Sequence, residues 1–286
     1  MTAAAAGPPD HVRAGFGVSS SSAEPLRARI EETGSTEATA EHPRTWKLGD
    51  LVLQRVDDSG RAAWLASGIE QVQTTGVRLA RPVRSSDGRW VLSGWSASRF
   101  VAGTPAARPH DIIIAGEAFH RGVAGLAEPR VLRARLDPVG WADRLAWGEL
   151  SPAERSLHPI DQGEVARRIG DLEAGRTDVS LPSQLIHAEL RRGVLFAGDA
   201  LPAVVDIEPF WRPSVWASAI VVVDSIVSDG APTEVLGLGE RYGQWRELVR
   251  RALLFRLALA VCGPTPEPAA LVPLLVAVDR LGPALG

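Results

Sequence analysis

The chain of 286 residues is poor in lysine and cysteine: Lys47 and Cys262 are the single residues of those types. One cysteine excludes an internal disulfide bond and any metal site built from several cysteines. Basic residues (31) are outnumbered by acidic residues (34), which leaves a formal net charge of -3. Such a charge gives no general attraction to nucleic acid or to anionic membranes, so we expect neither as a partner.

Long apolar segments and targeting signals are also missing. The longest apolar runs, such as residues 252–261, are interrupted by arginine and are too short to span a bilayer. The first residues, MTAAAAGPPD, lack the basic region and the sustained apolar region of a secretory signal. We therefore expect a cytoplasmic protein, long enough for two lobes around a cleft.

Several familiar catalytic motifs are absent. The sequence contains no Gly-x-Ser-x-Gly elbow, no Walker loop, no His-Glu-x-x-His and no glycine-rich dinucleotide fingerprint. The pair His187-x-Glu189 is typical of zinc deaminases, but those enzymes also need paired cysteines as metal ligands. These absences exclude the corresponding enzyme classes.

The hydrophobic pattern divides the chain into three parts and predicts the α+β fold class. Residues 1–43 contain a short segment able to dock, 11–18, and then a polar stretch, 19–43, typical of a flexible insertion. Residues 44–102 predict a small, mostly β lobe, and residues 103–286 a larger, mostly α lobe. In the small lobe we expect a strand at 50–56, a helix at 62–72, strands at 76–83 and 89–95, and a connector at 94–103. In the large lobe we expect helices at 110–126, 139–147, 242–261 and 269–281, and a helix start capped by Ser151.

The candidate chemistry lies in residues 183–224. Short apolar strands at 184–186, 194–196 and 203–205 place His187 and Glu189 at the end of one strand, before a tight turn, and Asp206 at the end of another. The hairpin should bring Glu189 and Asp206 to the same end. Two acidic groups at the mouth of a cleft can divide the work of base and metal ligand in phosphoryl transfer.

This stretch and several other blocks resemble the aminoglycoside phosphotransferase branch of the kinase-like fold. The likeness is strongest to an uncharacterised actinobacterial family of that branch. The blocks outside the hairpin are Arg78-Leu79-Ala80-Arg81-Pro82-Val83-Arg84, Asp87-Gly88-Arg89-Trp90, Trp211-Arg212-Pro213 and Ala252-Leu253-Leu254-Phe255-Arg256-Leu257. The resemblance implies a two-lobed, protein-kinase-like fold whose active members use ATP and Mg²⁺.

The resemblance also assigns nucleotide-binding positions in the small lobe, and one of them is changed. Gln54 stands where the lysine that contacts the nucleotide phosphates is expected, and Glu70 stands where the glutamate partner of that lysine is expected. A neutral amide loses a charge-assisted contact worth about 1.5–3 kcal/mol. Without the lysine, Glu70 has no evident ion-pair partner. Arg191 and Arg192 are candidates to hold phosphate in place of the lysine, although paired arginines in a turn are usually solvated.

In the catalytic loop, Glu189 stands at the position of the catalytic aspartate and Asp206 at that of the metal-binding aspartate. Glu189 moves the carboxylate by one methylene, and a misplacement of about 1 Å can cost on the order of 10²-fold in rate. The metal-binding asparagine falls on Gly193 or Val194, neither of which offers an oxygen ligand to magnesium. His187 either orients this loop for catalysis or is kept only as a structural hydrogen-bonding residue. Glu189 is either a displaced base or a solvated loop carboxylate, and Asp206 either binds a cation or caps a turn.

Two functions remain open on the sequence. In the first, the chain is a pseudokinase-like ligand-binding or regulatory protein that holds a small molecule or a partner protein in the interlobe cleft, and it is impaired or inactive as a kinase. In the alternative, it is a small-molecule phosphotransferase that uses ATP and Mg²⁺, with Glu189 as base and Asp206 as metal ligand. A third option is a protein that only contributes a surface to a complex.

Overall fold

The structure, a computed structural model, describes residues 7–26, 44–133, 135, 137–160, 163–262 and 268–285. The strands are β1 (Ala23–Leu26), β2 (Thr45–Leu48), β3 (Leu51–Arg55), β4 (Arg78–Leu79), β5 (Pro82–Val83), β6 (Val91–Leu92), β7 (Trp95–Arg99), β8 (Ser183–His187), β9 (Val194–Leu195), β10 (Ala203–Val204) and β11 (Pro209–Pro213). The helices are α1 (Asp10–Gly15), α2 (Ser59–Gln71), α3 (Pro109–Val123), α4 (Arg130–Arg133), α5 (Pro138–Trp147), α6 (Pro152–Arg155), α7 (Glu164–Ala174), α8 (Leu190–Gly193), α9 (Ser214–Ser228), α10 (Trp245–Val261) and α11 (Pro268–Leu285), with a 3-10 helix at Thr233–Gly239.

The small lobe is built on an antiparallel sheet in the order β1-β2-β3-β7-β5, with β6 also paired to β7. Alternate residues of its strands, such as Leu53 and Trp95, form one buried face. Helix α1 packs Val12 against this face, together with Phe16, which follows the helix. The docked segment predicted at 11–18 is therefore confirmed, as are the strand at 50–56 and the helix at 62–72.

Part of the predicted insertion is a strand instead. Residues Ala23–Leu26 pair along their whole length with β2, from Ala23 opposite Leu48 to Leu26 opposite Thr45. The prediction was wrong here because this edge strand has little apolar alternation and is held by backbone hydrogen bonds; its Pro25 is tolerated at a sheet edge. Residues 27–43 of the same predicted insertion lie outside the described residues.

The predicted connector at 94–103 was also wrong, because it contains the inner strand β7. In the sequence WSASR, Trp95 and Ala97 are buried while the serines between them are not, and this is the alternation of a half-buried strand. Gly94 and Gly103, both with positive φ, flank the strand rather than mark a linker. The single strand predicted at 76–83 is divided into β4 and β5, and β5 pairs with β7.

Strand β4 joins the small-lobe segment to the hairpin of the candidate site. It pairs in parallel with β10, with Arg78 opposite Ala203 and Leu79 opposite Val204, and β10 pairs antiparallel with β9. Short strands of this kind are weak alone, but here each is held by a neighbour from another part of the chain. The β9–β10 hairpin is therefore held in place by strand β4 of the small-lobe segment.

The larger core surrounds helices α9 and α10. Trp216 on α9 and Phe255 on α10 are fully buried, and their rings meet edge to face with centroids 5.5 Å apart. All four helices predicted in this region are present, with ends shifted by up to four residues. Ser151 forms the predicted N-cap as a capping box with Glu154. Across the described ranges, no helix combines the length and apolar character needed to cross a membrane.

Candidate functional site

The two loops that carry the predicted site residues lie side by side. Strand β8 ends at His187 and pairs with β11, which places His187 opposite Pro209. Backbone hydrogen bonds then join Ala188 N to Glu208 O (3.0 Å) and Val205 N to Gly193 O (2.8 Å). The predicted tight turn after Glu189 is a single helical turn, α8. The loops of Glu189 and Asp206 are therefore adjacent, in agreement with the hairpin geometry expected from the sequence.

His187 holds these loops together through both ring nitrogens. Its Nδ1 accepts hydrogen bonds from the backbone N–H groups of Glu189 and Glu208, each at 3.2 Å. Its Nε2–H therefore donates to the carbonyl of Val205, at 3.2 Å. Complete burial lowers the pKa of His187 from 6.5 to about 4, against a weaker opposing effect of Glu189, so the ring is neutral. This geometry serves both roles expected of His187, orientation of the loop and purely structural hydrogen bonding.

Glu189 points into a buried ion-pair cluster. Its Oε1 lies 2.5 Å from a terminal nitrogen of Arg256 on α10, and Arg256 contacts both carboxylate oxygens of Asp224 on α9 at 2.6 and 2.5 Å. We call Glu189, Asp224 and Arg256 the buried triad. Its members come from three elements, and the Arg256 side chain is 3% exposed. The expected role of Glu189 as a base facing the cleft is not the arrangement observed.

The electrostatics of the buried triad keep Glu189 ionised. Burial raises the pKa of its carboxyl, but the charge and hydrogen bond of Arg256 outweigh burial and hold that pKa below its usual value. For Asp224 burial outweighs Arg256, and its pKa is raised. Burial alone would lower the pKa of Arg256, but the two carboxylates raise it. Asp224 and Arg256 were not among the predicted site residues, although a charged residue within each of two apolar helices was a possible signal.

Neither Gly193 nor Val194, the two candidates for the position of the metal-binding asparagine, can be replaced by asparagine without disturbing the packing. A Cβ atom on Gly193 would overlap Nε2 of His187 and lie 2.8 Å from the carbonyl oxygen of Val205. Val194 is fully buried in the large core. The absence of an oxygen ligand here is therefore enforced by packing.

The two arginines of α8 have different environments. Arg191 forms a two-point ion pair with Asp229, with nitrogen–oxygen distances of 3.0 and 2.5 Å. Arg192 is only 6% exposed, and its two terminal nitrogens have no hydrogen-bond partner within the described part of the chain. Burial lowers the pKa of Arg192, against the opposing charge of Glu189. The expectation that both arginines are solvated is wrong for Arg192, and Arg191 is engaged by Asp229.

The two predicted nucleotide-binding positions of the small lobe are not joined to each other. Gln54 lies on β3 opposite Thr45 and Ser96, on the strand face away from Leu53. Glu70 has an ion-pair partner that the sequence did not suggest: its Oε2 lies 3.1 Å from a terminal nitrogen of Arg84. Glu70 therefore forms an exposed ion pair with Arg84 instead of the pair with a strand β3 lysine that the resemblance implies.

Asp206 follows β10 with a left-handed backbone, φ = 49°. Near it, Glu208 lies 2.6 Å from Arg135, which also bonds Asp137 at 2.7 Å. Asp137 in turn accepts from Arg61 of α2, so charged groups connect this loop to the small-lobe helix. The Asp206 loop is thus tied to both lobes.

The residues present do not fit the ATP and Mg²⁺ arrangement that the resemblance implies. In nucleotide sites Mg²⁺ is held by one or two protein side chains together with the substrate phosphates and water. Of the two protein ligands that the resemblance implies, Asp206 is present, but Gly193 and Val194 offer no side-chain oxygen at the second position. Gln54 carries no positive charge for the nucleotide phosphates, and Glu189 is engaged by Arg256. Asp206 alone retains the expected chemistry.

No protein-family model and no curated protein matches this sequence. Solved structures do match its fold. An aminoglycoside phosphotransferase from Alicyclobacillus acidocaldarius has a TM-score of 0.52 and 14% identity, with coverage of 84% of this chain and 87% of that one. A spectinomycin phosphotransferase in complex with ADP and spectinomycin has a TM-score of 0.54 and 9% identity, with 95% and 92% coverage. A choline/ethanolamine kinase family protein from Mesorhizobium loti has a TM-score of 0.51 and 18% identity, with 84% coverage of each chain.

At these identities the likeness establishes the fold alone. The chain has the two-lobed, kinase-like α+β fold found in aminoglycoside phosphotransferases and choline kinases. The fold class predicted from the sequence is confirmed. The closer likeness to an actinobacterial family remains a prediction. Function has to be argued from the site, because one fold serves many functions.

Proposed function

We propose that this protein is a pseudokinase-like ligand-binding or regulatory protein, which uses the kinase-like fold as a scaffold and does not transfer phosphate. The observation that carries the proposal is the buried triad. The carboxylate that would act as base in a kinase is held by Arg256 at 2.5 Å, in the interior of the large lobe.

The strength of this ion pair argues against a hidden catalytic role for Glu189. A general base has to reach the proton that it removes, and its pKa should lie near the working pH. Glu189 meets neither condition, since its pKa is lowered and its oxygen contacts Arg256. Moving it into a cleft would leave Arg256 with only one of its two carboxylate partners, and removing one partner of a buried ion pair costs about 3–5 kcal/mol.

The other changed positions support the same conclusion. Gly193 is required by the packing of His187, so the asparagine of an active kinase would disturb the loop. Gln54 cannot supply the charge of the phosphate-binding lysine. The contacts that position the loops of the site are nevertheless present, since His187 and Arg135 bond these loops to neighbouring elements. Selective loss of chemistry with retention of these contacts is the pattern expected of a binding scaffold, with a small molecule or a partner protein as the occupant of the cleft.

The proposal is tested by nucleotide binding and turnover with the full chain. Thermal unfolding is measured with millimolar ATP, with and without Mg²⁺, and phosphate release is compared with that of Asp206→Ala. We expect no magnesium-dependent shift in Tm and equal, background phosphate release. A nucleotide present at 100 times its Kd would add about 2.7 kcal/mol of stability, which is readily detected. Magnesium-dependent stabilisation by ATP would count against the proposal, and turnover that disappears in Asp206→Ala would establish the phosphotransferase alternative.

A further inference from the structure

A cavity lies in the large lobe, lined by residues other than Glu189, Gly193 and Asp206. It has a volume of about 280 Å³ and lies between the second half of α3, the start of β8, the first turn of α9 and the segment before α10. The lining residues that matter here are Glu117, His120, Arg121, Ser214, Ser218 and Tyr242. A cavity of this size with several converging polar groups is a candidate for a small ligand.

His120 presents an unused hydrogen-bond donor at this cavity. The residue is 3% exposed, and its Nε2 accepts the backbone N–H of His187 at 3.2 Å. Complete burial lowers the pKa of His120 from 6.5 to about 3, so the ring is neutral and its proton is on Nδ1. Within the described ranges this Nδ1–H has no acceptor, although His120 lines the cavity.

Helix α9 adds further donors at the same place. Ser218 is also 3% exposed, and within the described chain its hydroxyl forms no hydrogen bond. Ser214 is the first residue of α9, a helix of 15 residues that begins after Pro213 without a side-chain cap. The first N–H groups of a helix lack intrahelical partners and favour a negative charge. The buried donors and the helix start therefore point to the same kind of ligand.

The charges at the cavity favour an anion. Arg121 lies at the rim, and in the part of the chain that the structure describes it has no ion-pair partner. The one carboxylate of the lining, Glu117, already has partners: it accepts a hydrogen bond from the hydroxyl of Tyr242 and pairs with Arg241 at 2.7 Å. The remaining unused groups are therefore mainly donors, with one positive charge.

We propose that this cavity binds a small oxyanion, namely the carboxylate or phosphate group of a small molecule. His120, the hydroxyls of Ser214 and Ser218, and the first turn of α9 contact the oxygens, and Arg121 supplies the countercharge. The same imidazole ring holds the backbone of His187, so the ligand would lie one side chain away from the strand that leads to Glu189.

The test uses the full chain with two probes, inorganic phosphate and succinate, titrated by calorimetry at pH 7.5 and constant ionic strength with chloride. We expect saturable one-site binding of at least one probe. Arg121→Gln, a change of an exposed residue, should weaken binding about tenfold or more, and Ser218→Ala about three- to tenfold. The matched control, Arg130→Gln on α4, should bind like the wild type.

Each outcome decides the matter. Binding of phosphate alone identifies a phosphoryl group as the ligand, and binding of succinate alone identifies a carboxylate; both support the proposal when Arg121→Gln weakens them. The proposal is overturned if neither probe binds beyond the effect of chloride. It is also overturned if a probe binds equally to wild type, Arg121→Gln and Ser218→Ala.

Discussion

Replacement of Arg256 by methionine removes the positive charge that contacts both carboxylates of the buried triad. Glu189 and Asp224 are then left buried without their shared partner. Removing one partner of a buried ion pair costs about 3–5 kcal/mol. Because small proteins are stable by about 5–15 kcal/mol in total, this loss is large enough to measure without unfolding every molecule. We expect the free energy of unfolding to fall by about that amount at pH 7.

The loss should depend on pH in a defined direction. Without Arg256, burial raises the folded-state pKa values of Glu189 and Asp224 above 4.5 and 3.8, the ordinary values of the unfolded chain. At a pH between the ordinary pKa of the unfolded chain and the raised pKa of the folded variant, the folded variant binds more protons than the unfolded variant. Its stability relative to wild type therefore falls as pH rises through this window. The difference in unfolding free energy should be larger at pH 7 than at pH 5.

Urea unfolding followed by tryptophan fluorescence, at pH 7 and pH 5, measures this difference for Arg256→Met and wild type. Adding Glu189→Gln and Asp224→Asn to Arg256→Met should restore much of the stability, because neutral amides cost less to bury than charges. The matched control is Arg167→Met on α7, which removes exposed ion pairs worth less than about 1 kcal/mol. If Arg256→Met costs no more than this control, or costs the same at both pH values, the reasoning about buried charge is refuted.

Three further outcomes are expected. Gly193→Ala should lower the free energy of unfolding by about 1–3 kcal/mol, because the added methyl group overlaps His187. The control Gly170→Ala, in open space on α7, should raise it by about 0.5–1 kcal/mol. Urea unfolding measures both changes. Because burial depresses the folded-state pKa values of His187 and His120 from 6.5 to about 4 and about 3, the unfolded chain binds more protons below pH 6.5. Stability should fall by about 3 kcal/mol from His187 alone as pH drops from 6.5 to 4, and a flat profile would contradict this. Burial raises the pKa of the Cys262 thiol to about 12, so a thiol reagent at pH 8 should label it only after unfolding; rapid labelling of the native protein would contradict its burial.

Local patterns in the sequence were sufficient for much of the fold. The helices at 110–126 and 242–261 were predictable because their apolar residues recur with helical spacing. The start of α6 was predictable because Ser151 before Pro152 is a local capping signal. Strands β1 and β7 were missed because their short, polar or serine-rich sequences are stabilised by neighbours in the sheet. Propensity alone carries little information about such strands.

The candidate site, too, was predictable from the sequence only in part. The resemblance that can be read along the sequence predicts that Gln54 and Gly193 stand at the positions of the lysine and the asparagine of a working kinase, and this assignment stays a prediction. The partner of Glu189 could not be predicted in this way, since Arg256 lies far away in the chain and on a helix that the pattern predicts as core. Similarly, the unused donor of His120 follows only from its contact with the backbone of His187.

The class of fold and the chemical groups available to the site could be predicted from residue type and local spacing. Which of these groups meet, and which are removed from water, became clear only from the packing of the chain. Glu189 is a catalytic candidate in the sequence and a buried ion-pair partner in the fold. The physical reason is that the role of a charge depends on its neighbours and its burial, and both are properties of the packed chain.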